Sequence, residues 1–230
     1  MDLKEIGKVN PDKFWYYLHK GQFIYNKTIK TANKSEVLFD VGAGSGYFAS
    51  IFVKKGKTNK AFCIDPFYTQ DQIGNKNGLN FVKSIPNEKA DLLLFIDVLE
   101  HVEDDLALLK SYISRSTNDA LFVISVPAFK SLWSNHDVFL EHFRRYRKKD
   151  LQILIQKAEL VEVESSYIFG SIFPLVWLIR KIKRSRNIES DLKQSSNIIN
   201  FAILNFLKIE KIIPINKIFG TSVFIIAKKH

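Results

Sequence analysis

A single cysteine, Cys63, stands in the 230 residues, so no intrachain disulfide framework can form and nothing calls for an oxidising compartment. Glycine numbers only 10 and proline 6, which excludes collagen-like repeats and Pro/Gly-rich linker sequence. Long apolar runs are missing as well. The longest nearly uncharged stretch, Tyr167 to Ile179, has 13 residues and is broken by Gly170 and Pro174, whereas a membrane-spanning helix needs roughly 20. The first residues include Asp2, Lys4 and Glu5 and no apolar segment followed by small residues, so a secretory signal is not expected and the expectation is a cytoplasmic protein. What is plentiful is apolar and aromatic material, at 46% and 13% of the chain. That is enough for the core of a globular domain and too much for a disordered one.

The net charge is +10, unevenly spread. Between Phe169 and Phe219 nine basic residues (Arg180, Lys181, Lys183, Arg184, Arg186, Lys193, Lys208, Lys211, Lys217) face Glu189, Asp191 and Glu210. A second cluster, Arg144, Arg145, Arg147, Lys148 and Lys149, stands against Glu141 and Asp150. Both patterns suit either an anionic partner or a solvated face.

Along the chain, β-rich apolar runs alternate with helical periodicity. Val37–Val41 leads into a glycine cluster and then the periodic Tyr47–Val53; Ala61–Asp65 is closed by Pro66; Asn80–Ser84 is a weaker strand. Leu92–Ile96 is apolar throughout, as in a parallel strand covered on both faces. A helix over Asp104–Ser114, a strand over Ala120–Val126, a helix over Lys148–Ala158 and strands over Leu160–Ile168 and Thr221–Ala227 follow. Upstream, Asp12–Lys30 is aromatic-rich and helical in pattern, with an interruption expected near Gly21. The alternation implies βαβ units in an α/β, Rossmann-like, doubly wound and mostly parallel sheet, with ligand chemistry at the carboxyl ends of the strands. The expected organisation is an N-terminal helical cap (1–34), a cofactor-binding core (35–168), a basic amphipathic helical insertion (169–218) and a last core strand (219–230).

The most informative segment is Asp40-Val-Gly42-Ala43-Gly44-Ser-Gly46. Glycines there let backbone approach a ligand and adopt positive φ, and the helix behind them offers free N–H groups. The dinucleotide fingerprint G-x-G-x-x-G would need glycine at Tyr47. The pattern D-x-G-x-G-x-G instead resembles the class I S-adenosylmethionine-dependent methyltransferases. That resemblance implies a seven-stranded sheet with an antiparallel last strand and S-adenosyl-L-methionine as cofactor. It further implies that Gly42, Ala43, Gly44 and Gly46 line the cofactor, with Asp40 fixing the loop or the cofactor's ammonium. Asp65, nineteen residues beyond Gly46, stands where a doubly wound fold sets a carboxylate on a ribose diol, followed by Pro66. Ser84 and Ile85 match the family's adenine contacts.

A second resemblance lies in Asp97-Val98-Leu-Glu100-His101, similar to a segment that the family carries beside the transferable methyl. Asp97 and His101 are candidates for hydrogen bonding or proton transfer and Val98 for cofactor contact, while Glu100 reads as opening the helix that holds Glu103, Asp104 and Asp105. Further on, H-D-x-x-x-x-H-x-R-R-Y over residues 136–146 looks like a bacterial small-molecule and cell-envelope subgroup. On that resemblance His142, Arg144, Arg145 and Tyr146 are acceptor-side candidates, and His136, or alternatively His101, is a candidate general base, since imidazole titrates near ~6.5. His136, Asp137, Glu141 and His142 do not have the H-E-x-x-H geometry, so no metal is expected there.

The implied reaction is in-line methyl transfer to a small-molecule or lipid-linked acceptor. Residues 173–213 are expected to form a lid, a peripheral membrane contact at the inner face, or an oligomer surface. A nicotinamide oxidoreductase, a nucleic-acid methyltransferase and a non-catalytic surface module stand as alternatives. Nucleic acid is disfavoured because no D/N-P-P-Y/F/W segment follows the fourth strand.

Overall fold

Leu92, Leu94 and Ile96 turn to one face of their strand and Leu93 and Phe95 to the other, and all five are buried. Such a strand needs helices on both sides, and the computed structural model, which describes residues 3–182 and 193–229, has them. Strands β1 (Ser35–Val41), β2 (Thr58–Ile64), β3 (Gly74–Lys76), β4 (Leu79–Val82), β5 (Ala90–Ile96), β6 (Ser116–Pro127), β7 (Leu160–Ile168) and β8 (Ser222–Lys229) form one sheet. Their order is β3-β4-β2-β1-β5-β6-β8-β7. β4, β2, β1, β5 and β6 run parallel, while β8 is antiparallel to both neighbours, as expected of the last strand.

Seven strands were expected and eight are present. The addition is β3, a three-residue edge strand antiparallel to β4 with every residue exposed. It has no apolar alternation, but its turn is legible: Asn77 and Gly78 have φ of 53° and 79°, the two positive values that an Asn-Gly hairpin turn requires.

Helices α1 (Trp15–Thr31) and α2 (Tyr47–Lys54) cover one face; α3 (Asp105–Ile113) and α5 (Lys148–Lys157) cover the other. The expected break near Gly21 does not occur, and α1 runs through it. A Cβ at Gly21 would come within 2.5 Å of Ile51 Cδ1 on α2, so this glycine serves close helix packing. α4 (Asn135–Phe139) is short and lies before α5. The insertion contributes α6 (Phe173–Ile182) and α7 (Asn197–Leu207). Residues 183–192 of the expected basic insertion, with Lys183, Arg184 and Arg186, lie outside the described residues. α7 docks on the start of α1: Trp15 donates its N–H to Asn200 Oδ1 (3.0 Å) and Asn200 Nδ2 donates to the Lys13 carbonyl (2.6 Å). The N-terminal cap and the insertion are therefore joined. Among the described residues no helix is long and apolar enough to cross a membrane.

Candidate active site

The strand order reverses between β1 and β5, and doubly wound sheets bind ligands at such a point. A cavity of about 1930 Å³ opens there, beyond the ~300–1,000 Å³ of common small-molecule sites. Its lining brings together Gly42 after β1, Asp65 and Pro66 after β2, Ser84 and Ile85 after β4, and Asp97 and Val98 after β5. His101, His136, His142 and Arg145 line it as well, and Ile172, Val176 and Arg180 close it from the insertion.

Gly42 has φ of 59°, and a Cβ there would meet Val98 Cγ2 at 2.8 Å. Only glycine makes this bend without strain and keeps the floor of the cavity low. Ala43, Gly44, Gly46 and Asp40 lie behind that floor and not on the cavity wall. Asp40 is buried and accepts the Ala49 N–H in the first turn of α2 (3.1 Å), so it holds the helix behind the loop; burial pushes its pKa up to about 7. Asp65 pins the loop by accepting from Gly44 N (3.2 Å) and Phe67 N (3.0 Å), and the Tyr68 hydroxyl donates to the Gly44 carbonyl (2.7 Å).

Asp97 adopts φ of 55°, uncommon for a residue with a side chain. Both of its oxygens accept from Lys20 Nζ, at 2.7 and 2.6 Å, and Lys20 also donates to the Tyr16 hydroxyl (3.2 Å). Lys20 has no solvent exposure at all. The sequence reading passed over it, although its place on the buried α1 stripe with Tyr17, Gly21, Ile24 and Thr28 was a signal. Glu100 was also misjudged. It does not open α3, whose cap is Asp104, accepting Ala107 N at 2.8 Å. It lies in a short turn, fully buried, and its two carboxyl oxygens have no hydrogen-bond partner among the described residues. Burial, then the neighbouring Asp97, push its carboxyl well above the usual range.

Among the acceptor-side candidates, Arg144 is committed elsewhere: it bonds Asp105 (3.1 Å) and the Glu103 carbonyl (2.6 Å) and does not line the cavity. Tyr146 is buried with its hydroxyl on Asp105 (2.7 Å). Arg145 and His142 reach the cavity but are bound to Asp137, through Arg145 Nε (2.6 Å), Arg145 Nη2 (3.0 Å) and His142 Nδ1 (2.9 Å), with Ser134 N at 2.8 Å. Burial works to raise the Asp137 pKa, but the hydrogen bonds from His142 and Arg145, the Arg145 charge and Ser134 outweigh it and hold the carboxyl far below its usual range. His136 lines the cavity with its Nδ1 3.8 Å from the buried Glu5.

Comparison with known proteins bears on the family and the fold. Residues 17–165 match the profile of a family described as a methyltransferase domain. An uncharacterized protein of Methanocaldococcus jannaschii, MJ1452, is 31% identical over 103 residues, 39% of this chain and 39% of that relative, so the match spans well under half of either. A SAM-dependent methyltransferase from Archaeoglobus fulgidus superposes with a TM-score of 0.55 at 20% identity, covering 91% of this chain and 94% of that one. The N-methyltransferase NodS from Bradyrhizobium japonicum, in complex with S-adenosyl-L-homocysteine, gives a TM-score of 0.53 at 11% identity, covering 93% and 87%. At these identities the structural likenesses speak for the fold.

Proposed function

The chain belongs to the methyltransferase-domain family, and from that premise we propose that it transfers a methyl group from S-adenosylmethionine to an amphiphilic small-molecule or lipid-linked acceptor that reaches the cavity beneath α6. The carrying observation is the coincidence, at the carboxyl ends of the interior strands β1, β2 and β5, of the lowered floor at Gly42, the carboxylate of Asp65 and the oriented Asp97. These fit the donor: a glycine where a Cβ would intrude, a carboxylate for a ribose diol, and the polar Ser84 with Ile85 at the adenine end. When bound, S-adenosylmethionine supplies a methyl already activated by its sulfonium. The residues then align, bind and exclude water. The cavity is large enough to hold an acceptor beside the donor. His136 is the favoured base for an acceptor proton, because the His101 ring packs against His142 with centroids 4.6 Å apart.

Calorimetric titration tests the donor half. S-adenosylhomocysteine is expected to bind in the micromolar range, of order −8 kcal/mol, and NAD is expected not to bind. Binding of NAD alone would move the oxidoreductase reading ahead.

The lipid half rests on the insertion. Beside the wall that α6 lends the cavity, the insertion's helices leave Leu175, Leu178 and Ile182 of α6 and Ile198 and Phe201 of α7 exposed, the last two at 82% and 71%. Lys181, Lys193, Lys208 and Lys217 belong to the same segment. Apolar side chains with a basic surround suit the interface of an anionic bilayer, where each basic residue near the surface adds about 1 kcal/mol. Full-length protein is expected to sediment with phosphatidylglycerol-containing vesicles and not with neutral ones. Ile198→Asp/Phe201→Asp is expected to weaken this about 100-fold, from the ~1.5–3 kcal/mol that each buried apolar side chain contributes. Protein that stays in the supernatant with anionic vesicles would point to a water-soluble acceptor.

A further inference from the structure

Residues 136–142 were set aside above as a metal site, and the fold assembles a different trio. One ligand atom each from Glu100, His101 and His142 lie within 4.8 Å of one another, and all three residues line the cavity. Two chain segments meet to make this cluster, tied by the Phe143 N–H donating to the Glu100 carbonyl (2.8 Å). Two ligands at ~2.0–2.2 Å from an ion are about 3.3–3.6 Å apart in a tetrahedral site, so small side-chain rotations would close the set.

Three independent features favour a cation. Glu100 is completely buried with both carboxyl oxygens lacking hydrogen-bond partners among the described residues, an arrangement that is costly unless something meets them. His142 Nδ1 lies 2.9 Å from Asp137 Oδ1, and Asp137 is an acceptor-only carboxylate gripped by Arg145, so Nδ1 is the donor in this bond and Nε2 is the ring nitrogen not used by it. A carboxylate behind a ligating imidazole is the outer support that metal-bound histidines commonly have. Finally, the trio faces the cavity, which leaves coordination positions open to an incoming molecule.

We infer that Glu100, His101 and His142 bind one divalent first-row transition-metal ion, a two-histidine, one-carboxylate site whose open positions take an oxygen of the methyl acceptor. The donor set suits zinc, and also manganese or iron(II). A cation there would acidify a coordinated acceptor hydroxyl so that a base on the same cavity, such as His136, takes its proton, and the oxygen would then receive the methyl as the methyl's bond to the donor sulfur breaks, which makes the acceptor an alcohol or phenol class compound. This last step rests on the proposed methyl transfer; the metal site itself does not.

The test uses full-length, tag-free protein freed of metal by chelator dialysis and titrated with Co(II), with Zn(II) competing. Wild type is expected to take up one Co(II) with visible ligand-field bands that Zn(II) displaces. Glu100→Gln and His142→Asn are expected to lose those bands while still binding S-adenosylhomocysteine, which reports that they fold. His101→Asn, at a half-exposed position, serves if the buried variants do not fold. Wild type that binds S-adenosylhomocysteine but no Co(II) or Zn(II) overturns the inference, as does binding that survives these substitutions. Metal uptake without S-adenosylhomocysteine binding supports the site and sinks the donor reading.

Discussion

An Asp65→Ala variant is expected to remain folded and to bind S-adenosylhomocysteine about 100-fold more weakly than wild type, or not at all. Asp65 directly follows β2 with 6% exposure. Its oxygens accept from Gly44 N and Phe67 N, and the two oxygens of a carboxylate match the two hydroxyls of a ribose diol. Hydrogen bonds to a charged group contribute about 1.5–3 kcal/mol each, so two amount to roughly 3 kcal/mol at the least, or about 100-fold. The loop also loses its pin at Gly44. Asp65→Asn keeps one acceptor oxygen and is expected to fall between the two, near tenfold. Calorimetry reads both variants directly, and undiminished affinity in Asp65→Ala would place the ribose elsewhere.

Much of the scaffold was legible because parallel strands buried on both faces are apolar at every position, as Leu92–Ile96 is, and because glycines at Gly42, Gly44 and Gly46 follow such a strand directly. β3 was missed for the opposite reason: three exposed residues with no apolar side chain leave no burial pattern, and only the Asn77-Gly78 turn marks them. The site divides along the same line. Residues whose role follows from their place at a strand end, such as Asp65 and Asp97, stand on the cavity. Residue type alone served less well for Arg144 and Tyr146, since a guanidinium or phenol suits any carboxylate. The one they meet, Asp105, lies 39 and 41 residues earlier. Lys20 and Asp97 are separated by 77 residues, and no local pattern pairs them. Glu100 was read as a helix opener because an acid ahead of Glu103 and Asp104 looks like N-terminal charge. Its burial is a tertiary effect, and the chain returns to it at Phe143, whose N–H donates to the Glu100 carbonyl.

Replacing Lys20 with Met is expected to cost about 3 kcal/mol of stability and to lower the melting temperature by roughly 6–12 °C for a chain of this size. The ammonium is fully buried and bonds both oxygens of Asp97, whose side chain keeps 31% exposure toward the cavity. Breaking a buried ion pair from one side leaves the other charge unmatched, and water reaching Asp97 from the cavity sets the loss at the low end of the ~3–5 kcal/mol range. Met retains most of the volume, so the effect reports charge more than cavity formation. Removing both charges separates stability from function. In Lys20→Met/Asp97→Asn no carboxylate is stranded, and asparagine tolerates the φ of 55° at position 97. Most of the lost stability should therefore return, while S-adenosylhomocysteine affinity should stay impaired because the oriented carboxylate is gone. Thermal melts and calorimetry on the two singles and the double complete the cycle. A double variant that recovers both stability and affinity would reduce the pair to a packing device, and a single Lys20→Met variant with an unchanged melting temperature would show that the ion pair adds nothing to the fold.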